Sequence, residues 1–187
     1  MIMEKIEYYI NLIKMHNRPW SDFEKNVFAV IFILTMAFCI YGFIKRKLKW
    51  YQSIGIVCFA VCMCFLYATT IFTRAPFGSH EFRCMLGLDL RLFLAGVQSE
   101  WDQVILNIIL FMPFGLLWPV IRRNKCSICE VAFIGLVLSL SVEITQYITM
   151  RGVMDVEDVL TNVIGAFLGG VIAKIVWCIG TELGKLW

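Results

Sequence analysis

The chain has 187 residues, of which 60% are hydrophobic and 17% charged, with a formal net charge of +3. It is too apolar for an ordinary soluble domain and too long for a single anchor, so composition predicts an all-α, polytopic transmembrane helical bundle. The positive excess falls in two short loops between apolar runs, so it reads as membrane topology and not as nucleic-acid binding.

Residues 1 to 25 form an N-terminal amphipathic or interfacial segment. Ile2, Ile6, Tyr9, Ile10 and Ile13 recur at helical spacing while Glu4, Lys5, Glu7 and Lys14 fall elsewhere, which predicts a helix lying on the membrane surface. The first twenty residues have no uninterrupted apolar core, so no cleaved signal peptide is expected. Pro19 ends this helix, and Ser21 with Glu24 has the spacing of a capping box, so the first spanning helix should start just after Ser21.

Five spans are expected in a transmembrane domain covering residues 26 to 178, with a short tail from 179 to 187. The apolar runs are residues 26 to 44, 51 to 72, 102 to 121, 127 to 148 and 158 to 178, each close to the roughly 20 residues that cross hydrocarbon. Lys45, Arg46, Lys47 and Lys49 join the first two spans, and Arg122, Arg123 and Lys125 join the third and fourth. Basic loops stay cytoplasmic, so the N-terminus is expected outside, the C-terminus inside, and the loop from Thr73 to Trp101 outside with the turn at 149 to 157.

The eight cysteines do not form a disulfide framework in this topology, because Cys84 alone faces outward. Cys126-x-x-Cys129 has no second pair or histidine nearby to complete a zinc site, so neither a metal nor a cofactor is expected.

In span three, Asp102 lies at the water boundary and Asn107 deeper, and Pro113 is expected to kink the helix near Ile109. Span four aligns Ser139, Glu143 and Gln146 on one face. In the stretch from Arg151 to Gly170, helical spacing places Asp155, Asp158, Asn162, Gly165 and Gly169 within about 80° of arc. Gly165-x-x-x-Gly169 allows close helix approach and is assigned to packing. Charged groups deep in a bilayer cost about 2.5–3.5 kcal/mol, and they usually face the protein interior at a functional site.

With this topology Arg74, Asp102, Glu143, Arg151, Asp155 and Asp158 come to one end of the bundle, with Asn107, Gln146 and Asn162 just below. These nine residues are the candidate ligand-binding cluster. Helix capping by Asp155 and Asp158, or ion pairing with Arg74 and Arg151, is the structural alternative. Both histidines, His16 and His80, fall outside the cluster, and no Ser/His or Cys/His pair is apparent.

The chain resembles the VanZ-like family over roughly residues 30 to 175. The resemblance rests on Ile71-Phe72-Thr73-Arg74, on Asp102 and Asn107 ahead of Leu110-Phe111-Met112-Pro113-Phe114-Gly115, on Glu143 with Gln146, and on Arg151, Asp155, Asp158, Asn162, Gly165 and Gly169 in order. It implies a bacterial cell-membrane protein of the type that confers teicoplanin resistance, with no established reaction.

Three functions follow as expectations. The first is a non-enzymatic protein that changes how amphiphilic lipoglycopeptides or lipid-linked envelope molecules engage the cell surface. The second is an enzyme acting on a lipid-linked cell-wall substrate, with Glu143 and Asp155 as acid and base, or with Asp102, Glu143, Asp155 and Asp158 holding a cation. The third is a small transporter or flippase with intramembrane acids as proton relays. The expected partners are the lipid bilayer and such an amphiphile.

Overall fold

The computed structural model describes residues 19–76, 78–84, 91, 95 and 98–184, and side chains throughout these except 98–101 and 182–184. The surface helix expected over residues 2 to 15 and the last three residues of the tail lie outside the described residues.

Five helices among the described residues are long and apolar enough to cross a membrane. α1 is Asp22–Ile44, and it starts where the capping box places it. Glu24 N–H donates to Ser21 Oγ at 3.3 Å and Ser21 N–H donates to Glu24 Oε2 at 2.8 Å, so two otherwise orphaned donors are satisfied. Most of α1 is exposed, including Ile33, Leu34 and Phe38, and it packs mainly on α2. That leaves α1 at the lipid-facing edge of the bundle.

α2 is Trp50–Tyr67 and continues into a π-helical turn, Ala68–Phe72. Thr73 closes the turn by donating both its N–H, at 3.0 Å, and its Oγ1, at 2.7 Å, to the Ala68 carbonyl five residues back. α3 is Gln98–Ile121, continuous through Pro113 and Pro119. α4 is Ile128–Thr149, capped by Ser127, and ends at Met150 with φ 55°. α5 is Val156–Gly184.

Two short strands, β1 (Glu81–Arg83) and β2 (Val153–Asp155), pair in parallel with Phe82 opposite Met154 and Arg83 opposite Asp155. This corrects one expectation: Asp155 is not on the helix with Asp158 and Asn162 but in the strand that precedes it. The helix starts at Val156, so the helical face begins at Asp158.

The core is built by α2, α3 and α4, where Leu66, Phe111, Phe114 and Val142 are buried and the Phe59 ring meets the Phe114 ring at 5.2 Å between centroids. α5 joins through backbone. A Cβ on Gly165 would strike the Ile108 carbonyl, one on Gly169 the Met112 carbonyl, and one on Gly115 the Ala166 carbonyl. Lipid is as apolar as a leucine side chain, so contact of this kind and interhelical hydrogen bonds hold such a bundle together more than hydrophobic burial does.

At the basic-loop end, Gln52 is the tie. It donates to the Ile121 carbonyl at 2.7 Å and accepts from Arg123 Nε at 2.8 Å, while Arg123 Nη2 reaches the Lys47 carbonyl at 3.1 Å.

Candidate functional site

At the opposite end, the π-helical turn of α2, the start of α3, the end of α4 and the β2–α5 junction meet. The π-helical turn offsets the carbonyls of α2, and side chains from α4 and the following turn receive them. Gln146 Nε2 donates to the Thr70 carbonyl at 3.1 Å, and Arg151 Nη1 donates to the Phe72 carbonyl at 2.8 Å and that of Ile71 at 3.4 Å. A guanidinium at a helix C-terminus also complements the helix dipole. Gln146 and Arg151 thus hold α4 to α2.

The acids divide into two groups. Asp155 N–H donates to Glu143 Oε2 at 2.9 Å, Asp155 Oδ1 accepts from Glu157 N–H at 2.9 Å, and Asp155 Oδ2 lies 3.5 Å from Arg83 Nη1. Asp155 is therefore the cap of α5, and Glu143 fixes the strand that delivers it. Asp158 binds α3 instead: its Oδ1 accepts from Asn107 Nδ2 at 2.8 Å and from Gln103 Nε2 at 2.9 Å. Asn107 also donates to Thr161 Oγ1 at 3.2 Å. One polar turn of α3 is thereby matched to one polar turn of α5.

Arg74 stands between these groups in charge terms. It is half-buried, and burial draws its guanidinium below the usual value while the Asp158 and Glu143 carboxylates oppose that shift. Guanidinium is not deprotonated in proteins, so Arg74 remains the cation facing both acids. Asp102 is buried at this end of α3.

One turn below Asp158 and Glu143, Asn162 Nδ2 donates to Ser139 Oγ at 2.9 Å. Its Oδ1 is buried and has no hydrogen-bond partner among the described residues.

The structure thus gathers Glu143 with Asp155, and Asp158 with Asn107, into a polar layer of two separate hydrogen-bonded groups with Arg74 facing both, and Asn162 bonds to Ser139 one turn below. Gln146 and Arg151 sit beside it, committed to backbone carbonyls. Gly165 and Gly169 lie in the α3–α5 contact below.

Three participants escape sequence reasoning. Gln103 lies on the α3 face of Asn107, one turn before it, a signal available from helical spacing. Arg83 reaches Asp155 only through the β1–β2 pairing, for which a three-residue strand gives no pattern. His80, set apart by the sequence reading, is at this end: its ring lies 5.0 Å from that of Tyr147 and its Nδ1 lies 2.7 Å from the Tyr147 carbonyl. No group of three His, Cys, Asp or Glu among the described residues is arranged to hold a metal ion, so the cation-binding arrangement finds no support in this geometry.

Two clefts stand out among the described residues, and neither is lined by Glu143, Asp155 or Asp158. The larger, about 650 Å³, runs between α1, α2 and α3 and is apolar, with Phe28, Phe72 and Met63 toward the Arg74 end, Ala60 near the middle, and Ile56 and Ile121 toward the basic loops. The other, about 560 Å³, lies at the α1–α2 loop.

The VanZ/LLP1 family model matches residues 71–177, more than half of the chain. This range takes in every candidate residue from Arg74 to Gly169 and leaves α1 and most of α2 outside. The protein VanZ of Enterococcus faecium is 46% identical over 71 residues, which are 38% of this chain and 44% of that protein, so the match spans less than half of the relative. No solved structure matches the chain. The five apolar helices and the matched family agree, and the chain belongs to the VanZ family of multi-pass membrane proteins.

Proposed function

We propose that the protein reduces the action of amphiphilic, acyl-bearing glycopeptides of the teicoplanin class by binding their lipid portion at the membrane. The observation that carries this reading is the apolar cleft between α1, α2 and α3. From Ile56 to Phe72 it follows α2 and its π-helical turn, about 24 Å at the helical rise, a length suited to an alkyl chain. Phe72 lies two residues before Arg74, so the cleft ends beside the polar layer. The layer supplies a rigid, charged rim, and the cleft takes the chain.

The enzymatic and transport readings draw less from the geometry. Glu143, Asp155 and Asp158 are engaged by backbone and side-chain amides of neighbouring segments, and neither cleft is lined by them.

The test is expression in a glycopeptide-susceptible bacterium, with susceptibility read for an acylated glycopeptide and for one lacking the acyl chain. A several-fold rise in inhibitory concentration is expected for the acylated compound alone. Ala60→Trp, which fills the cleft, should abolish it at equal protein abundance. An equal effect on both compounds, or full activity of Ala60→Trp, would overturn the proposal.

A further inference from the structure

The α1–α2 loop carries cations on a frame far more ordered than a topology signal requires. Lys47 and Leu48 both donate their N–H groups to the Gly42 carbonyl, at 2.9 and 3.1 Å. The Leu48 side chain seats on Gly42, where any Cβ would strike it. Arg123 grips the Lys47 carbonyl from the other basic loop, and the buried Gln52 side chain accepts from both Lys49 N–H, at 3.0 Å, and Arg123.

Within this frame Arg46 has φ 55°, at the position after a helix where glycine is usual. The left-handed conformation is costly for a residue with a side chain. Arg123, in the same conformation on the second loop, spends its guanidinium on Gln52 and Lys47. Arg46 is exposed, and its guanidinium makes no hydrogen bond or ion pair among the described residues.

Arg46 and Lys49 line the cleft of about 560 Å³ with Phe43, Ile44, Leu48 and Trp50. Phe43, Ile44 and Trp50 remain 57%, 69% and 67% exposed. Two cations therefore border a surface of large apolar side chains, with Lys49 Nζ 5.8 Å from the Tyr51 ring centre at its edge, and with a tryptophan of the kind found at a lipid headgroup boundary. Among the described side chains near these loops, the carboxylate is Glu130, and it is occupied by Arg122 at 3.2 Å and Trp118 at 3.0 Å.

We infer that this cleft binds an anionic phospholipid. The Arg46 guanidinium and the Lys49 ammonium hold the phosphate, the former in its two-pronged geometry, and the acyl chains lie over Phe43, Ile44 and Trp50. This site is remote from the polar layer and independent of any role in glycopeptide action.

The test uses the full chain in detergent, equilibrated with phosphatidylglycerol or phosphatidylcholine of identical acyl composition, with retained lipid counted by native mass spectrometry. Retention of phosphatidylglycerol should exceed that of phosphatidylcholine at least tenfold. Arg46→Gly suits the left-handed backbone and so preserves the fold, and Lys49→Gln keeps the stem; each should cut that preference several-fold. Lys125→Gln, on the neighbouring loop but outside the cleft, should leave it unchanged. Equal retention of the two lipids, or an equal loss in Lys125→Gln, would show only general charge attraction and overturn the site.

Discussion

Asn107 of α3 and Asn162 of α5 are both amides set in apolar helices, yet they differ in what they leave behind. Asn107 donates to Asp158 and Thr161, so it holds a carboxylate across the α3–α5 contact. Hydrogen bonds to charged groups contribute about 1.5–3 kcal/mol in water, while interhelical hydrogen bonds in lipid average nearer about 0.6 kcal/mol. Asn162 offers one bond to Ser139 and buries one acceptor with no partner among the described residues, and an unsatisfied group of that sort costs about 1–3 kcal/mol. Asn107→Ala should therefore destabilise by about 1–2 kcal/mol, and Asn162→Ala by less than about 1 kcal/mol or not at all. Thermal unfolding of the two variants in one detergent checks the order. A larger loss for Asn162→Ala would mean that its Oδ1 is satisfied in the membrane, by water or a bound molecule. The same residues show what sequence alone conveys. A polar side chain at helical spacing in an apolar run is visible; which of its atoms lacks a partner depends on the neighbouring helix.

Among the elements, the α3–α5 pair shows the clearest division of labour along one helix. Gly165 and Gly169 face the Ile108 and Met112 carbonyls, whereas an added Cβ at Gly180 meets nothing within 4 Å. Forcing a methyl into a close-packed site typically costs about 1–3 kcal/mol, while replacing an unconstrained helical glycine by alanine gains up to about 1 kcal/mol. Gly169→Ala should lower the unfolding temperature and Gly180→Ala should raise it slightly. Loss of stability in both would mean that the close backbone contact at Gly169 is not what sets the two positions apart. This contact was legible, because small residues four apart have one chief use in an apolar helix. So was the start of α1, since Ser21 and Glu24 act within a single turn. The π-helical turn and the β1–β2 pair were not. A π-helical turn differs from an α-helical one by a single residue with no compositional mark, and β1 gains its meaning from β2, seventy residues away in the chain. Asp155 was misplaced for that reason: its periodicity with Asp158 is real, but the strand pairing supersedes it.

For the whole molecule, the two ends of the bundle are chemically opposite. One gathers Glu143, Asp155 and Asp158 around Arg74; the other gathers Lys45, Arg46, Lys47 and Lys49 beside Arg122, Arg123 and Lys125. Basic loops are retained on the cytoplasmic side during insertion, so the acid layer should face outward. The proposed glycopeptide role requires this orientation, because such compounds act from outside the cell. Two cysteines report on it directly. Cys84 is exposed just after β1, at the acid end, and Cys129 is exposed in the first turn of α4, at the basic end. Cys126, three residues before Cys129, is buried, and burial raises its thiol above the usual value, so at pH 8 it holds less thiolate and reacts more slowly. In variants retaining Cys84 or Cys129 alone, a membrane-impermeant maleimide should label Cys84 on intact cells. Cys129 should react only after permeabilisation. The reverse pattern would place the acid layer and the end of the apolar cleft beside Arg74 in the cytoplasm, and with them would fall the proposal that the protein meets an amphiphile arriving from outside.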